Sequence, residues 1–154
     1  MKAVAADTNF VFWGTPGKGI LRSAHGGGGA GAYTTFLHGK IVTGLFAKEG
    51  KLYVSNFSDG KIHVYDIATM TEDRSWPCPD PTRLTVDQAG NVWVIKWHSA
   101  STQKPHAGSV WWGEKIVSFS STGNPGPEIT DFEKPLALAM DNHGQLLVGG
   151  LNQH

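Results

Sequence analysis

PTRLTVDQAGNVWVIK, residues Pro81–Lys96, has the pattern of two short β-strands joined by a tight turn. Apolar residues alternate with others on both sides of the turn, and this period of two is typical of a strand. Between the strands, Asp87 can hydrogen-bond its own backbone and Gly90 is free to take a positive φ. The stretch therefore predicts a β-hairpin.

The same hairpin recurs along the chain. A second copy is Pro135–Gly150, PLALAMDNHGQLLVGG, a fainter one is Ile41–Asn56, IVTGLFAKEGKLYVSN, and a degraded one opens the chain at Met1–Gly14. The copies are spaced roughly 40 to 54 residues apart, which indicates a repeat protein. The residues aligned within the second strands of the hairpins are Phe12, Val54, Val94 and Val148.

Each hairpin is followed by a third strand and then by a fourth, weaker one. The fourth strands are predicted at Tyr33–Leu37, Thr71–Pro77 and Glu128–Phe132. Four short strands in about 40 residues match the size of a β-propeller blade. The predicted units span residues 1–40, 41–80 and 81–134, the last with an insertion, followed by a half-blade at 135–154. We therefore predict an all-β, single-domain β-propeller segment of about three and a half four-stranded blades.

Three and a half blades do not close a ring, because an open arc exposes an apolar sheet face at each end. Two arrangements solve this problem. The chain is either a partial ring from a longer propeller, or half of a six- to seven-bladed ring that another chain completes. Two copies of this chain would supply seven blades' worth of strands, so a homo-oligomer is predicted. Both arrangements predict a partner at the ends.

Composition narrows the function classes. The 13 basic and 13 acidic side chains cancel, and no basic run is present, which argues against a nucleic-acid binder. No apolar run approaches the roughly 18 residues of a membrane span, and the N-terminus lacks the apolar core of a signal peptide. The single cysteine, Cys78, excludes an internal disulfide and is expected to be a small buried residue. The cellular compartment stays open.

The repeat pattern P-x-x-L-x-x-D-x-x-G-x-x-x-V, followed by K-I-x-x-F/Y, resembles NHL-type and SMP-30/gluconolactonase-like propellers. In blade three the pattern is carried by Pro81, Leu84, Asp87, Gly90 and Val94. In blade four it is carried by Pro135, Leu138, Asp141, Gly144 and Val148. Blade two departs from it, with Ile41, Gly44 and Ala47 in place of the proline, leucine and aspartate. The resemblance implies the architecture but not one activity, because such propellers include lactonases, lyases, protein-binding scaffolds and RNA binders.

The loops between second and third strands emerge on the usual ligand-binding side of a propeller. The longest of them, in blade three, is the insertion WHSASTQKPHAGSVWWGE, which starts at Trp97 and holds three of the six tryptophans. Exposed aromatic residues favour a recognition role. The alternative is that Trp111 and Trp112 fold back to cap the blade.

Polar residues on equivalent loops are the other candidates for ligand binding. His98 and His106 lie eight residues apart, a spacing that matches no compact metal motif, so solvated histidines are the alternative. Three more candidates lie on neighbouring loops: Asn56, Asp59 and Asn152. Arg83 is the cation expected near a central ligand, with an ordinary hydrogen bond between blades as its alternative role. Asp87 and Asp141 are expected to close turns on the opposite face.

The SMP-30 resemblance implies a divalent cation held by Glu, Asn and Asp residues that line the channel. The glutamate that this family places near its first strand is not recognisable in this sequence. We therefore predict no cofactor. A divalent cation is the alternative, because the resemblance allows one.

The leading functional hypothesis is a non-catalytic binding or scaffold module, which presents the aromatic-rich loop face to a protein or a small polar ligand. No complete catalytic set is apparent, and no G-x-S-x-G motif is present. The first alternative is a metal-dependent lactonase- or lyase-like enzyme that uses the polar loop residues. The second is a structural subunit whose function is assembly itself.

Overall fold

A computed structural model describes residues 3–15, 19–26, 33–38, 41–97 and 113–150. Within these ranges the chain is all-β, and its strands form four antiparallel sheets in chain order. Blade one consists of β1 (Val4–Ala6), β2 (Phe10–Thr15), β3 (Gly19–Ala24) and β4 (Thr34–Leu37). Blade two consists of β5 (Val42–Lys48), β6 (Lys51–Asn56), β7 (Lys61–Asp66) and β8 (Glu72–Pro77). Blade three consists of β9 (Pro81–Val86), β10 (Val92–Trp97), β11 (Gly113–Phe119) and β12 (Pro125–Ile129). Blade four consists of β13 (Pro135–Met140) and β14 (Leu146–Gly150).

The four sheets lie next to one another around a common axis, with the first strand of each sheet closest to that axis. In every full blade the four strands pair in sequence order. The first strands β1, β5, β9 and β13 contact one another in turn, which places them innermost and the fourth strands at the rim. Each predicted repeat unit thus contains one sheet, while the bounds of the units themselves stay a prediction. None of the described residues belongs to a helix long and apolar enough to cross a membrane.

The core lies between facing sheets. Successive side chains of a strand point to opposite faces, so a central blade buries both of its faces. In β6, Val54 packs toward blade one while its neighbour Tyr53 packs toward blade three. The layer between blades one and two includes Phe12, Ile20, Phe36, Leu45, Leu52 and Val54. The layer between blades two and three includes Tyr53, Ile62, Val64, Leu84, Val94 and Phe119.

The alignment of Phe12 with the valines is wrong by one residue. Val54 and Val94 each pack against the preceding blade, whereas Phe12 packs against the following one. Turn length does not account for the reversal. Asp7 and Phe10 enclose a two-residue turn, and so do Lys48 and Lys51 in blade two, where Val54 keeps the predicted face. An alignment that is shifted by one residue places a side chain on the other face of its strand.

The aspartates close the turns between first and second strands, as predicted. Asp87 Oδ1 accepts a 2.8 Å hydrogen bond from the amide of Asn91. Asp141 Oδ1 accepts from the amides of His143 and Gln145, at 2.9 and 2.7 Å. Blade two has no aspartate here because Glu49 and Gly50 form a two-residue turn, in which both take a positive φ.

The fourth strand of blade three starts earlier than predicted. β12 begins at Pro125, three residues before the predicted Glu128, and the other fourth strands begin within one residue of the prediction. A tight turn in which the amide of Ser120 donates to Asn124 O at 2.8 Å brings the chain back at once. Ser118 Oγ then donates to Pro127 O at 2.7 Å and holds the new strand against β11.

The outer faces of blades one and four differ from the core faces. In β13 and β14 partly buried residues alternate with exposed ones, because only one side of this sheet faces another blade. The side chain of Leu147 is 53% exposed, and Val4 in β1 is 69% exposed. Val148 pairs with Leu138 as Val94 pairs with Leu84, but it is only partly buried. Each end of the arc therefore presents an apolar sheet face.

Candidate functional site

The first strands of all four blades line a cavity at the axis of the arc, here called the axial cavity. Its volume is about 260 Å³. It is lined by Ala3, Val4, Gly44, Leu45, Arg83, Leu84, Leu136, Ala137 and Leu138. Arg83 is the charged residue in this lining, and the side chains around it are small or apolar.

Arg83 is half-buried on the central strand β9. Its Nη1 lies 3.5 Å from the carbonyl oxygen of Thr43 on β5, which is a contact between blades two and three. Burial lowers the pKa of the Arg83 guanidinium from its usual value, since desolvation disfavours the charged form. The positive charge thus sits where water solvates it poorly.

A seam of buried hydroxyl groups fixes β9 beside β5. Thr43 Oγ1 donates to the carbonyl of Pro81 at 2.8 Å, and Ser55 Oγ donates to that of Thr82 at 2.7 Å. None of the described strands pairs with the inner edge of β9, so these hydroxyls satisfy carbonyls that would otherwise be buried without a partner. The seam therefore holds the backbone that carries Arg83.

A second cavity, the loop-root cavity, lies where the insertion of blade three begins and ends. Its volume is about 420 Å³, and it is lined by Pro79, Asp80, Lys96, Trp97, Glu114, Lys115 and Thr130. The lining contains one aromatic residue, Trp97, together with two acidic and two basic residues, and Lys115 Nζ also pairs with Glu128 Oε2 at 2.7 Å. Such a lining can contact a ligand that carries both charges, or a polar peptide.

The two ends of the insertion are held together. Trp97 pairs with Gly113 across β10 and β11, and the amide of Trp97 donates to the carbonyl of Asp80 at 2.8 Å. A Cβ at Gly113 would overlap Ile95 and the carbonyl of Lys96, so only glycine fits this close approach. The root of the insertion is therefore fixed by the sheet.

Blade two holds a cluster of titratable side chains around His63, which is only 6% exposed. His63 Nδ1 lies 2.9 Å from Glu72 Oε2, and Nε2 lies 3.0 Å from Asp59 Oδ2. Each ring nitrogen thus has a carboxylate oxygen within hydrogen-bond distance. Tyr65 stacks on the ring at 5.9 Å, and its hydroxyl donates to Glu72 at 3.4 Å.

The contacts within this cluster favour an ionised Glu72 carboxyl and a neutral Tyr65 hydroxyl. Burial raises the pKa of the Glu72 carboxyl, but hydrogen bonds from Ser75, His63 and Tyr65 outweigh it, and the net pKa is lowered. Burial first, and then the Glu72 carboxylate, raise the pKa of Tyr65 above its ordinary value. His63 lines neither of the two cavities. The cluster therefore ties the loop of Asp59 to β8.

The sequence did not single out His63. The pairing of β7 with β8 would have indicated this cluster. His63 and Tyr65 share a face of β7, and Glu72 lies opposite Tyr65 on β8. Finding it required the pairing of two strands together with the position of Asp59 in the preceding loop.

The predicted site residues that the structure describes do not share one cavity. Arg83 lines the axial cavity, Trp97 lines the loop-root cavity, and Asp59 joins His63. Asn56 is fully buried, and its Oδ1 accepts from the amide and hydroxyl of Ser58 at 3.1 and 2.6 Å, which closes the turn after β6. The roles of all four in ligand binding stay predictions. The other predicted residues lie outside the described ranges: His98, His106, Trp111, Trp112 and Asn152.

The described residues include no group of three or more His, Cys, Asp and Glu side chains that could hold a metal ion. The His63 cluster does not qualify, because its two carboxylates lie on opposite sides of the imidazole. Cys78 is buried as expected, and burial raises the pKa of its thiol to about 12. A thiol with so high a pKa is neither a good nucleophile nor a good metal ligand at neutral pH.

Comparisons with known proteins give the fold. No family model and no curated protein matches this chain. It is similar to Kuenenia stuttgartiensis hydrazine synthase, with a TM-score of 0.68 and 13% identity over 95% of this chain and 40% of that one. It is similar to the WD40 β-propeller domain of Doa1, with a TM-score of 0.67 and 14% identity over 97% of this chain and 47% of that one. It is also similar to a protein of unknown function from Bacteroides caccae, with a TM-score of 0.62 and 13% identity over 95% of this chain and 51% of that one.

The chain thus spans about half, or less, of each of these structures. Identities this low carry no information on activity, but the shared arrangement of sheets confirms the predicted fold. The chain is all-β and forms part of a β-propeller.

Proposed function

We propose that this chain is a non-catalytic binding module, which presents the loop face of blade three to a protein or a small polar ligand. The observation that carries the proposal is the loop-root cavity, where Trp97 stands among two acidic and two basic side chains. Its volume of about 420 Å³ lies within the usual range of ligand pockets, roughly 300 to 1,000 Å³. An amphipathic indole beside both charge signs is suited to zwitterions and to polar peptides.

We also propose that the repeats are of the NHL or SMP-30-like type. The support for this proposal is the structural role of the residues that recur in the pattern. Leu84 and Val94 are core residues, Asp87 closes the turn, and Gly90 has a φ of 86°. These are the positions at which the pattern requires an apolar, an acidic and a glycine residue.

We propose further that a second copy of this chain covers the ends of the arc. The support is the pair of apolar end faces, which carry Val4 on blade one and Leu147 on blade four. Propeller blades pack face to face, so the blade-one face of one copy suits the blade-four face of the other. The assembly would be a homo-oligomer in which each copy extends the arc of its partner.

The binding proposal is tested with free amino acids and dipeptides, which carry one ammonium and one carboxylate. Ligand-observed NMR on the wild-type chain should detect binding of at least one of them. Trp97→Ala should weaken that binding about tenfold or more, because truncating a tryptophan at the centre of a contact site commonly has that effect.

The matched control is Trp93→Ala. Trp93 donates through Nε1 to Asp87 Oδ2 at 3.3 Å, at the opposite end of the same hairpin. This variant should bind as the wild type does, provided that a thermal melt shows it to be folded. Absence of binding across the panel, or equal binding by Trp97→Ala and the wild type, would contradict the proposal.

A further inference from the structure

We propose that a third cavity, here called the turn cavity, binds the phosphate group of a small molecule. It lies between blades two and three, at the end of the sheets where first and second strands are joined, and its volume is about 300 Å³. None of its lining residues lines the loop-root cavity, so this proposal holds or fails independently of the function proposed above. The lining consists of Lys48, Glu49, Lys51, Tyr53, Arg74, Gln88, Ala89, Gly90 and Ser121.

Three polar groups in this lining have no hydrogen-bond partner in the part of the chain that the structure describes. Arg74 Nε is buried and unpaired. Tyr53 is only 6% exposed, because its ring packs in the layer between blades two and three, yet its hydroxyl forms no hydrogen bond with a described residue. The hydroxyl of Ser121 forms none either. Polar groups inside proteins are nearly always paired, so unpaired donors around one cavity indicate a ligand that accepts hydrogen bonds.

Two cationic groups are held together at this cavity by one carboxylate. Asp73 Oδ2 lies 3.0 Å from Arg74 Nη1 and 3.5 Å from Lys51 Nζ. Lys51 Nζ also lies 3.2 Å from Asp66 Oδ2. Neither aspartate belongs to the lining, so both position the cations from outside the cavity. The contact through Nη1 leaves the edge of the Arg74 guanidinium that carries Nε for a ligand.

Lys48 adds a charge that its surroundings compensate only weakly. Its ammonium donates to the carbonyl oxygens of Asp87 and Gln88 at 2.6 and 3.1 Å, and both of these acceptors are neutral. Its ion-pair partner, Glu49, is 3.7 Å away and 82% exposed, so that water screens the pair. The lining therefore favours an anion.

A phosphate group fits these features. It is anionic, it presents only acceptors, and its terminal oxygens can accept from a guanidinium, an ammonium and hydroxyl groups at the same time. The guanidinium edge of Arg74 can bind two of these oxygens. The volume of about 300 Å³ lies at the lower end of the usual range for ligand pockets, so the rest of the ligand is small.

The test compares glycerol 3-phosphate, inorganic phosphate and glycerol by isothermal titration of the wild-type chain. Both phosphates should bind, and glycerol, which has no anionic group, should not. Tighter binding of glycerol 3-phosphate identifies an organic phosphate as the ligand, and equal binding identifies the free ion. The proposal is overturned if neither phosphate binds, or if glycerol binds as tightly as its phosphate.

Tyr53→Phe then tests the hydroxyl and keeps the ring in the core. We expect the affinity for the phosphate to fall about threefold or more, the effect of one hydrogen bond. The matched control is Tyr65→Phe, which removes a hydroxyl that donates to Glu72 at 3.4 Å on the opposite face of blade two. This control should bind as the wild type does.

Arg74 and Glu49 should shift the affinity in opposite directions. Arg74→Gln should weaken phosphate binding about tenfold, and Arg74→Lys should retain part of it as a point charge. Glu49→Gln removes the carboxylate of the lining and should tighten binding. If Arg74→Gln fails to fold, the variants at positions 49 and 53 still decide. Phosphate affinity that none of these substitutions changes would refute the site.

Discussion

Glu49 holds a backbone conformation that suits glycine or asparagine better than glutamate. Its φ is 50°, and Gly50 follows with a φ of 72°, so the two form the turn between β5 and β6. In this left-handed region a side chain with a Cβ crowds the following carbonyl oxygen. The ion pair of Glu49 with Lys48, at 3.7 Å, offers little compensation because Glu49 is almost fully exposed.

Glu49→Asn should therefore stabilise the protein. Asn-Gly is the preferred sequence for a two-residue hairpin turn of this type. We expect the free energy of unfolding to rise by about 0.5 kcal/mol, a part of the cost of the left-handed conformation. Urea denaturation followed by circular dichroism measures it.

Gly50→Ala is the companion variant. A Cβ at Gly50 would meet no atom within 4 Å, so its effect is purely conformational, and we expect a loss of about 1 kcal/mol. A stabilising alanine here, or a destabilising asparagine at position 49, would show that the turn has a different conformation.

The turn between β7 and β8 depends on one carboxylate. Asp66 Oδ1 accepts from the amide and the hydroxyl of Thr69 at 2.9 and 3.0 Å, and Oδ2 lies 3.2 Å from Lys51 Nζ. The amide of Thr69 first, and then Lys51, lower the pKa of Asp66 from 3.8 to about 2. A carboxyl whose pKa is lowered by folding stabilises the native state above its unfolded pKa and loses that effect on protonation.

Asp66→Asn should lower the melting temperature at neutral pH, and the deficit should shrink as the pH falls from about 4 to 2. Below pH 2 the wild-type carboxyl is protonated and the two proteins should melt alike. Thermal melts at several pH values measure this, with the exposed Asp131→Asn as control. A deficit that stays constant between pH 4 and 2 would show that the charge of Asp66 does not stabilise this turn.

Elements could be predicted from the sequence where the pattern is local. Val54 and Val94 were placed in the core because alternation and repeat spacing agree, and Asp87 and Asp141 were assigned to turns because their side chains bond neighbouring amides. Phe12 was misplaced because an alignment shifted by one residue reverses the faces of a strand, and a degraded repeat has too few matching residues to fix the alignment.

The candidate site was harder to predict because it depends on contacts between distant parts of the chain. Arg83 was expected near a central ligand because it lies on the first strand of a blade; it lines the axial cavity, and its role in binding stays a prediction. The environment of His63 required Asp59 from a loop and Glu72 from another strand, and the burial of Asn56 follows from packing that no local pattern encodes. The axial cavity itself arises only where the first strands of four blades meet.

At the scale of the whole molecule, we expect the exposed faces of the end blades to determine whether copies of the chain associate in solution. Leu147 on β14 and Val4 on β1 are large apolar residues at positions whose equivalents in the central blades are covered. Two such faces on one molecule favour head-to-tail contact between copies.

Light scattering after size exclusion should therefore give a mass of at least twice the 16.6 kDa of one chain. Leu147→Lys should shift the protein to the monomer, because a buried unpaired charge opposes association. Gln145→Lys, at an exposed position in the turn before β14, should not. A wild-type chain that stays monomeric at tens of micromolar would contradict assembly through these faces.

The pairing of β13 with β14 has a consequence for the shape of such an assembly. These strands correspond to the inner two strands of a blade, and among the described residues no further strand pairs with the outer edge of β14. An extended segment, from a second copy or from another protein, could add itself to this edge as a new strand through backbone hydrogen bonds.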